Sequence, residues 1–277
     1  MESNLASQPM THAQLAKMSV HSVRNALRAN VYSGHTAGLC TGRLQCNLVI
    51  LPAAEGADFQ RFCAENPVFC PLTGVSERGQ PSMPNLGTGI DLRSDLPMYF
   101  VYRKGQTVEQ VLDINALWRD DFMAFAVGCS FTFEHALMRA GIEMRHITTG
   151  VTVPMFHTNI PTVQVGPFGG PAVVSMRPIP EHRIDDVKTI CATFPHAHGA
   201  PIHIGDPADI GIADMHAPDW GAAVPIKDGE VPAFWGCGVT TQVALSHAEP
   251  DIAITHAPGA MLITDADETA PRDVPSL

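Results

Sequence analysis

Several things are scarce in this sequence, and each scarcity excludes something. Positive charge is outweighed: 17 Lys and Arg stand against 28 Asp and Glu, a formal net charge of −11. Non-specific nucleic-acid binding needs a basic footprint, so no nucleic-acid partner is expected. No apolar run approaches the roughly 20 residues that cross a bilayer. The N-terminal stretch MESNLASQPMTHAQ also lacks the basic-then-apolar form of a secretory leader, so no membrane partner is expected. The 7 cysteines are odd in number and include no Cys-x-x-Cys pair. A disulfide framework and a zinc ribbon are therefore poor readings, and a reducing cytoplasm is the expected setting.

Other motifs fail as well. There is no Gly-x-x-x-x-Gly-Lys phosphate loop and no Gly-x-Gly-x-x-Gly after a strand, so no cofactor is expected. Gly128-Cys129-Ser130-Phe131-Thr132 lacks the second glycine of a Gly-x-Ser-x-Gly elbow, which weakens a serine-hydrolase reading.

The chain does hold apolar mass and punctuation. Of 277 residues 45% are hydrophobic, enough for a sizeable core, and 23 Pro with 23 Gly favour short elements joined by tight turns. Thr11-x-x-Gln14 reads as a capping box opening a helix to Asn30. Asn47–Leu51 reads as a buried strand ended by Pro52, Asp58–Glu65 as a helix, Met98–Arg103 as a strand and Val111–Trp118 as a short helix. Val151–Phe156, Thr162–Val165 and Ala172–Ile179 look like successive strands before a helix over Ile184–Phe194. The β-α rhythm then returns with Pro201–Ile204, Ile210–Ile212, Val231–Trp235, a helix from Thr241 to Ser246, Ile252–Thr255 and Met261–Thr264.

The expected fold is α/β: a mixed sheet flanked by helices, with a smaller inserted α+β subdomain. The expected division is 1–142 and 196–265 for the body, 143–195 for the insert, and 266–277 for a loose tail.

The chain is organised around Phe122–Gly141. An apolar run, Phe122–Val127, breaks at Gly128-Cys129-Ser130 and continues with helical spacing through Phe131, Phe133 and Leu137. Strand, sharp turn and helix is the expected reading, and it places a thiol and a hydroxyl at a helix N-terminus, where anions bind and thiol pKa values fall. The plainer alternatives are that Ser130 only caps the helix and Cys129 is only a small buried residue. Gly236-Cys237-Gly238 repeats the pattern after a second strand.

The segment from Pro195 to Asp206 carries His196, His198 and His203 together with Asp206. Its spacing matches no metal signature, so no metal site is expected; acid–base work or simple structural roles are the alternatives. His256 follows a strand, where open α/β sheets place ligand-contacting residues. Arg93, Arg145 and Arg177 stand in weakly charged surroundings, and each needs a carboxylate from the protein or from a ligand.

The segments GCSFTFEHAL, RHITTGVTVPMFHTNI, VVSMRPI, HGAPIHIGDP, EVPAFWGCGVTTQ and THAPGAMLITD, with NLVILP and DLRSDLPMYFVYRKG before them, resemble the D-glutamate cyclase-like family of hydro-lyases from about Arg24 to Asp265. The resemblance implies a two-part α/β architecture and closure of D-glutamate to 5-oxo-D-proline with loss of water. It carries over no catalytic set. Two positions depart from the family's pattern: His157 where arginine is frequent, and Ala260 where histidine is common.

A small dicarboxylate substrate is thus expected. Cys129, Glu134, His203, Cys237 and His256 are the candidate catalytic groups; Ser130, Arg145, Arg177, Arg93, Asn159 and Asp206 are the candidate binding groups. An arginine would hold the α-carboxylate, Glu134, His203 or His256 would take the amine proton, and the helix terminus at Cys129-Ser130 would steady the oxyanion. Two alternatives remain open: a cofactor-independent racemase using the two thiols, and a non-catalytic binder of small carboxylates. A homodimer is expected only from the general frequency with which enzymes pair.

Overall fold

The run Asn47–Leu51 lies inside the longest strand of the central sheet, β1 (Arg43–Pro52). Its side chains alternate between two cores, which is why the segment reads as continuously apolar. Leu44, Cys46, Leu48 and Ile50 face one core, while Val49 and Leu51 face the other. The computed structural model describes residues 8–269.

Around β1 the chain places α1 (His12–Leu15), α2 (Val20–Arg28), α3 (Ala53–Glu65), β2 (Leu72–Val75), β3 (Tyr99–Arg103), β4 (Gln106–Val111) and β5 (Phe122–Gly128). Next come α4 (Phe131–Arg139), α5 (Arg145–Thr149), β6 (Met155–Pro161), β7 (Pro171–Pro180), α6 (Ile184–Ala192) and β8 (His203–Ile204). The described chain closes with β9 (Glu230–Gly236), α7 (Thr240–Ala248), β10 (Ala253–His256) and β11 (Leu262–Asp267).

One sheet runs β2-β5-β1-β10-β3-β4, with β11 also paired to β1; the other runs β6-β7-β9-β8. The expected α/β class is the one the chain adopts, with a refinement: strand pairings among the described residues are antiparallel in both sheets. The second sheet joins β6 and β7 to β8 and β9, which come from beyond Pro195. Phe59 and Phe62 of α3 and Ala244 and Leu245 of α7 cover one face of the first sheet. Phe133 and Leu137 of α4 and Val187 and Cys191 of α6 pack on Ile179, Ala233 and Trp235 of the second.

Local readings differ from the structure where a turn outweighs the apolar spacing. The capping box at Thr11 and Gln14 forms, but the helix stops at Leu15, and Ser19 caps α2 afresh by accepting from Ser22 N–H. Val111 ends β4 and does not begin a helix, because Lys104 and Gly105, both at positive φ, turn Gln106–Val111 back along β3. Thr162–Val165 keeps only an isolated bridge between Val165 and Phe168, and Ile210 ends a 3-10 turn capped by Asp206. Of the expected tail, residues 270–277 lie outside the described residues. Glu268, by contrast, is buried: His135 Nδ1 lies 3.0 Å from its Oε2, Arg139 donates to its Oε1 at 2.9 Å, and its N–H donates to Gly42 O.

Candidate functional site

Two strand–turn–helix units meet at the end of the central sheet. β5 delivers Gly128-Cys129-Ser130 to α4, and β9 delivers Gly236-Cys237-Gly238 to α7. Asn47 of β1 joins them. Its Nδ2 donates to Val127 O at 3.2 Å and to Gly128 O at 2.8 Å, and a Cβ on Gly238 would lie 2.0 Å from that same nitrogen. At Gly128 a Cβ would lie 1.7 Å from His196 O. Both glycines are therefore required by close approach.

Cys129 and Cys237 share one buried cluster with Ala37, Met155, Val173 and Met261. Each sulfur accepts the N–H two residues on, Phe131 for Cys129 and Val239 for Cys237. Burial outweighs those bonds. The Cys129 thiol is pushed well up, with Cys237 and Glu134 adding to the rise, and the Cys237 thiol is pushed up to about 11. Both are neutral S–H groups at ordinary pH, the opposite of what proton exchange between two thiols needs.

Beneath Cys129, in the first turn of α4, lies a fully buried ion pair. Arg177 Nε donates to Glu134 Oε1 at 2.9 Å, and Arg177 Nη2 donates to the same oxygen. Ser130 does not cap its helix; its hydroxyl oxygen accepts from Arg177 Nη2 at 2.9 Å, while Ser175 accepts from Nη1 at 2.8 Å. The guanidinium also lies 5.3 Å from the ring centres of both Phe133 and Trp235. His146 of α5 places Nε2 3.2 Å from Glu134 Oε1 in ion-pair contact, off the line of a good hydrogen bond, and its ring stacks on Phe131. Burial alone would raise the Glu134 pKa; the charges of His146 and Arg177, with the hydrogen bonds from Arg177, overcome it and hold it at about 2.

The loop before β1 brings His35 to this cluster. Burial lowers its pKa, the neighbouring charges of His12 and His146 lower it further, and Glu134 opposes them. The His12 ring lies 4.6 Å from the His35 ring, and its Nε2 is 2.8 Å from Ala37 O. Among the described residues ten buried side-chain atoms lack a hydrogen-bond partner, and Glu134 Oε2, His35 Nδ1 and His146 Nε2 are three of them, the last keeping its ion-pair contact with Glu134 Oε1.

Of the residues singled out from sequence, Cys129, Ser130, Glu134, Arg177 and Cys237 come together here. The others sit elsewhere. Arg145 spends its Nη1 and Nη2 donors on Glu230, Glu143 and Pro225 O, and Arg93 is paired with Asp91. His203 contacts Asp206 O on the outer strand of the second sheet, Asp206 caps the turn at Ala208, and Asn159 is exposed on β6. His256 is turned onto the Leu48 backbone, and burial lowers its pKa to about 4. His196 and His198 bind the carbonyls of Glu268 and Val68, and among the described residues no three His, Cys, Asp or Glu side chains gather to hold a metal.

Reading from sequence missed His35, His146, Ser175 and Asn47. Ser175 was open to discovery, since alternation along β7 puts it on the same face as Arg177. His146 directly follows the arginine that drew attention in its place. His35 and Asn47 carry no local signal.

An α/β protein with two helix N-termini converging over a buried carboxylate–guanidinium pair is the class this geometry defines. Comparison with known proteins supplies the family. Residues 123–265 match the family model described as D-glutamate cyclase. A protein of Jannaschia sp. named "Putative hydro-lyase" is 56% identical over 248 residues, covering 90% of this chain and 93% of that one. One of the same name from Dinoroseobacter shibae is 54% identical over 263 residues, covering 95% and 86%. The chain belongs to the D-glutamate cyclase family. No helix among the described residues is long and apolar enough to cross a membrane.

Proposed function

We propose that this protein is a hydro-lyase that expels water from a small amino or hydroxy dicarboxylate, most like the closure of D-glutamate to 5-oxo-D-proline. The observation that carries this reading is the pair of unmet buried atoms, Glu134 Oε2 and His35 Nδ1, beside a His146 ring in ion-pair contact with Glu134 Oε1. Buried polar atoms are rarely left unmet, and such a pair beside an imidazole fits the polar groups of a bound substrate.

The roles follow from the positions of the two imidazoles, one beside Glu134 and one on the loop before β1. His35, biased toward its neutral form, takes the proton of the substrate ammonium. The freed amine attacks the γ-carbon, forming the C–N bond of the ring. With the Cys129 N–H committed to Gln45 O, the Ser130 N–H at the α4 N-terminus steadies the oxyanion, an interaction worth about 2.7–4 kcal/mol per donor in comparable sites. His146, beside Glu134, gives one proton to the departing oxygen; the attacking nitrogen, now NH2+, gives the second as the C–O bond breaks, so water leaves and the lactam NH remains, and the proton held on His35 returns to His146 to reset the pair. With Arg145 and Arg177 engaged by protein carboxylates and the Cys237 N–H donated to Val173 O, the substrate's α-carboxylate is assigned to the Gly238 N–H at the α7 N-terminus. Arg177 acts as a positioning residue that fixes Glu134 and Ser130.

Seven cysteines, none of them in a disulfide among the described residues, support a reducing compartment such as the cytoplasm. The inserted unit, expected over 143–195, we draw onward to β9, because β8 and β9 pair within its sheet.

Incubation with D-glutamate, L-glutamate and short amino and hydroxy diacids, read by mass, tests the reading. A product lighter by one water, lost in Glu134→Gln, is expected. Solvent deuterium entering the α-position with no water loss would replace it with the two-thiol racemase, and binding without turnover would replace it with the carboxylate binder.

A further inference from the structure

A cleft of about 490 Å³ opens between the two sheets, on the flank of α7. Its walls are Phe100 and Tyr102 of β3, Thr107 of β4, His157 of β6, Trp220, and Gln242 and Ser246 of α7. None of the groups assigned above to water loss lines it. Glycines let the walls close: a Cβ on Gly105 would lie 2.6 Å from Ser246 O, and one on Gly170 would lie 2.9 Å from the His247 ring.

The lining has a distinct chemistry. It carries no Lys, Arg, Asp or Glu, so a phosphate or a diacid would find no fixed cation there. It offers aromatic surface on two sides, from Trp220 and from Phe100 and Tyr102. Between them stand groups that both donate and accept. His157 is held by Asp219, which accepts the His157 N–H at 2.8 Å and lies 3.0 Å from Nδ1, so its Nε2 is the nitrogen left for a ligand. The His157 ring sits 4.7 Å from that of Trp220. Gln242 is likewise fixed, accepting from Tyr102 Oη at 3.1 Å and donating to His256 O at 3.1 Å, with one amide hydrogen to spare.

We infer that this cleft binds an uncharged heteroaromatic metabolite of nucleoside size. The ring lies against Trp220, and its polar edge meets His157, Gln242 and the hydroxyls of Thr107 and Ser246. The volume falls within the range of small-molecule sites, whose usual make-up is aromatic walls with a few fixed polar groups. It exceeds what a five-carbon diacid fills, which separates this site from the one proposed for water loss.

Adenosine and uridine titrated calorimetrically into the native protein test the inference. Binding of at least one is expected, weakened about tenfold by loss of the ring in Trp220→Ala. Ser246→Trp, at an exposed position that leaves the fold intact, plugs the cleft and should abolish binding, while excess D-glutamate should not compete. The inference is overturned if neither nucleoside binds at millimolar concentration, if Ser246→Trp binds as the native protein does, or if adenosine monophosphate binds more tightly than adenosine.

Discussion

Glu134 and Arg177 form an ion pair with no exposure to solvent, joining the first turn of α4 to the middle of β7 through two hydrogen bonds to one carboxylate oxygen. The other carboxylate oxygen is left without a partner. The pair thus does structural work on one side and presents an acceptor on the other.

Breaking that pair from the arginine side should be costly. Arg177→Met leaves a buried carboxylate uncompensated, and a loss of about 3–5 kcal/mol is expected in denaturant unfolding. The double variant Glu134→Gln/Arg177→Met should recover part of it, because neither charge is then stranded.

Acid should unfold the protein in two stages. His198 and His256 each have a pKa lowered by burial from 6.5 to about 4, so the unfolded chain binds their protons first. Their contribution is full above about pH 6.5 and is lost as pH falls toward 4. Glu134, lowered from 4.5 to about 2, contributes fully above its unfolded value and loses that contribution as pH falls through the folded one. Stability measured against pH should show a shallower upper stage in His256→Asn and a shallower lower stage in Glu134→Gln.

His35→Gln should lower turnover of the water-loss substrate by about a hundredfold or more while the melting temperature stays close to native. In the native enzyme the acid limb of the rate profile should fall below the ordinary histidine value of 6.5, because burial lowers the His35 pKa and only the neutral ring accepts the proton. Unchanged turnover in this variant would remove His35 from the chemistry.

Gly128→Ala and Gly238→Ala each add one methyl group where no room exists. Overpacking of this kind costs about 1–3 kcal/mol, and the backbone carbonyl facing Gly128 makes that variant the worse of the two. Thermal melts of the two variants check the order.

Local pattern made much of the fold legible. The turn at Gly128-Cys129-Ser130, the strand around Asn47–Leu51, the α6 helix and the β9–α7 unit all follow from period and punctuation. The helix expected from Thr11 to Asn30 breaks in two because Ser19 offers a second cap. The site was legible only where its residues share a turn. Cys129, Ser130 and Glu134 announce one another along α4. His35 joins them across about a hundred residues of chain, and Asn47 reaches Gly238 from a strand formed far earlier in sequence. Arg145 and Arg177 look alike in sequence, yet one is spent on surface-side carboxylates and the other anchors the centre. Which carboxylate each meets is decided by packing that spacing does not encode.

Glu268 has a practical meaning for anyone handling this chain. It grips Arg139 at the end of α4 and His135, the neighbour of Glu134 on the same helix, and it is also tied to Gly42 on the loop that carries His35. The far end of the described polypeptide is therefore a latch on the candidate site, and trimming the chain short of that glutamate would loosen a region that sequence distance suggests is remote.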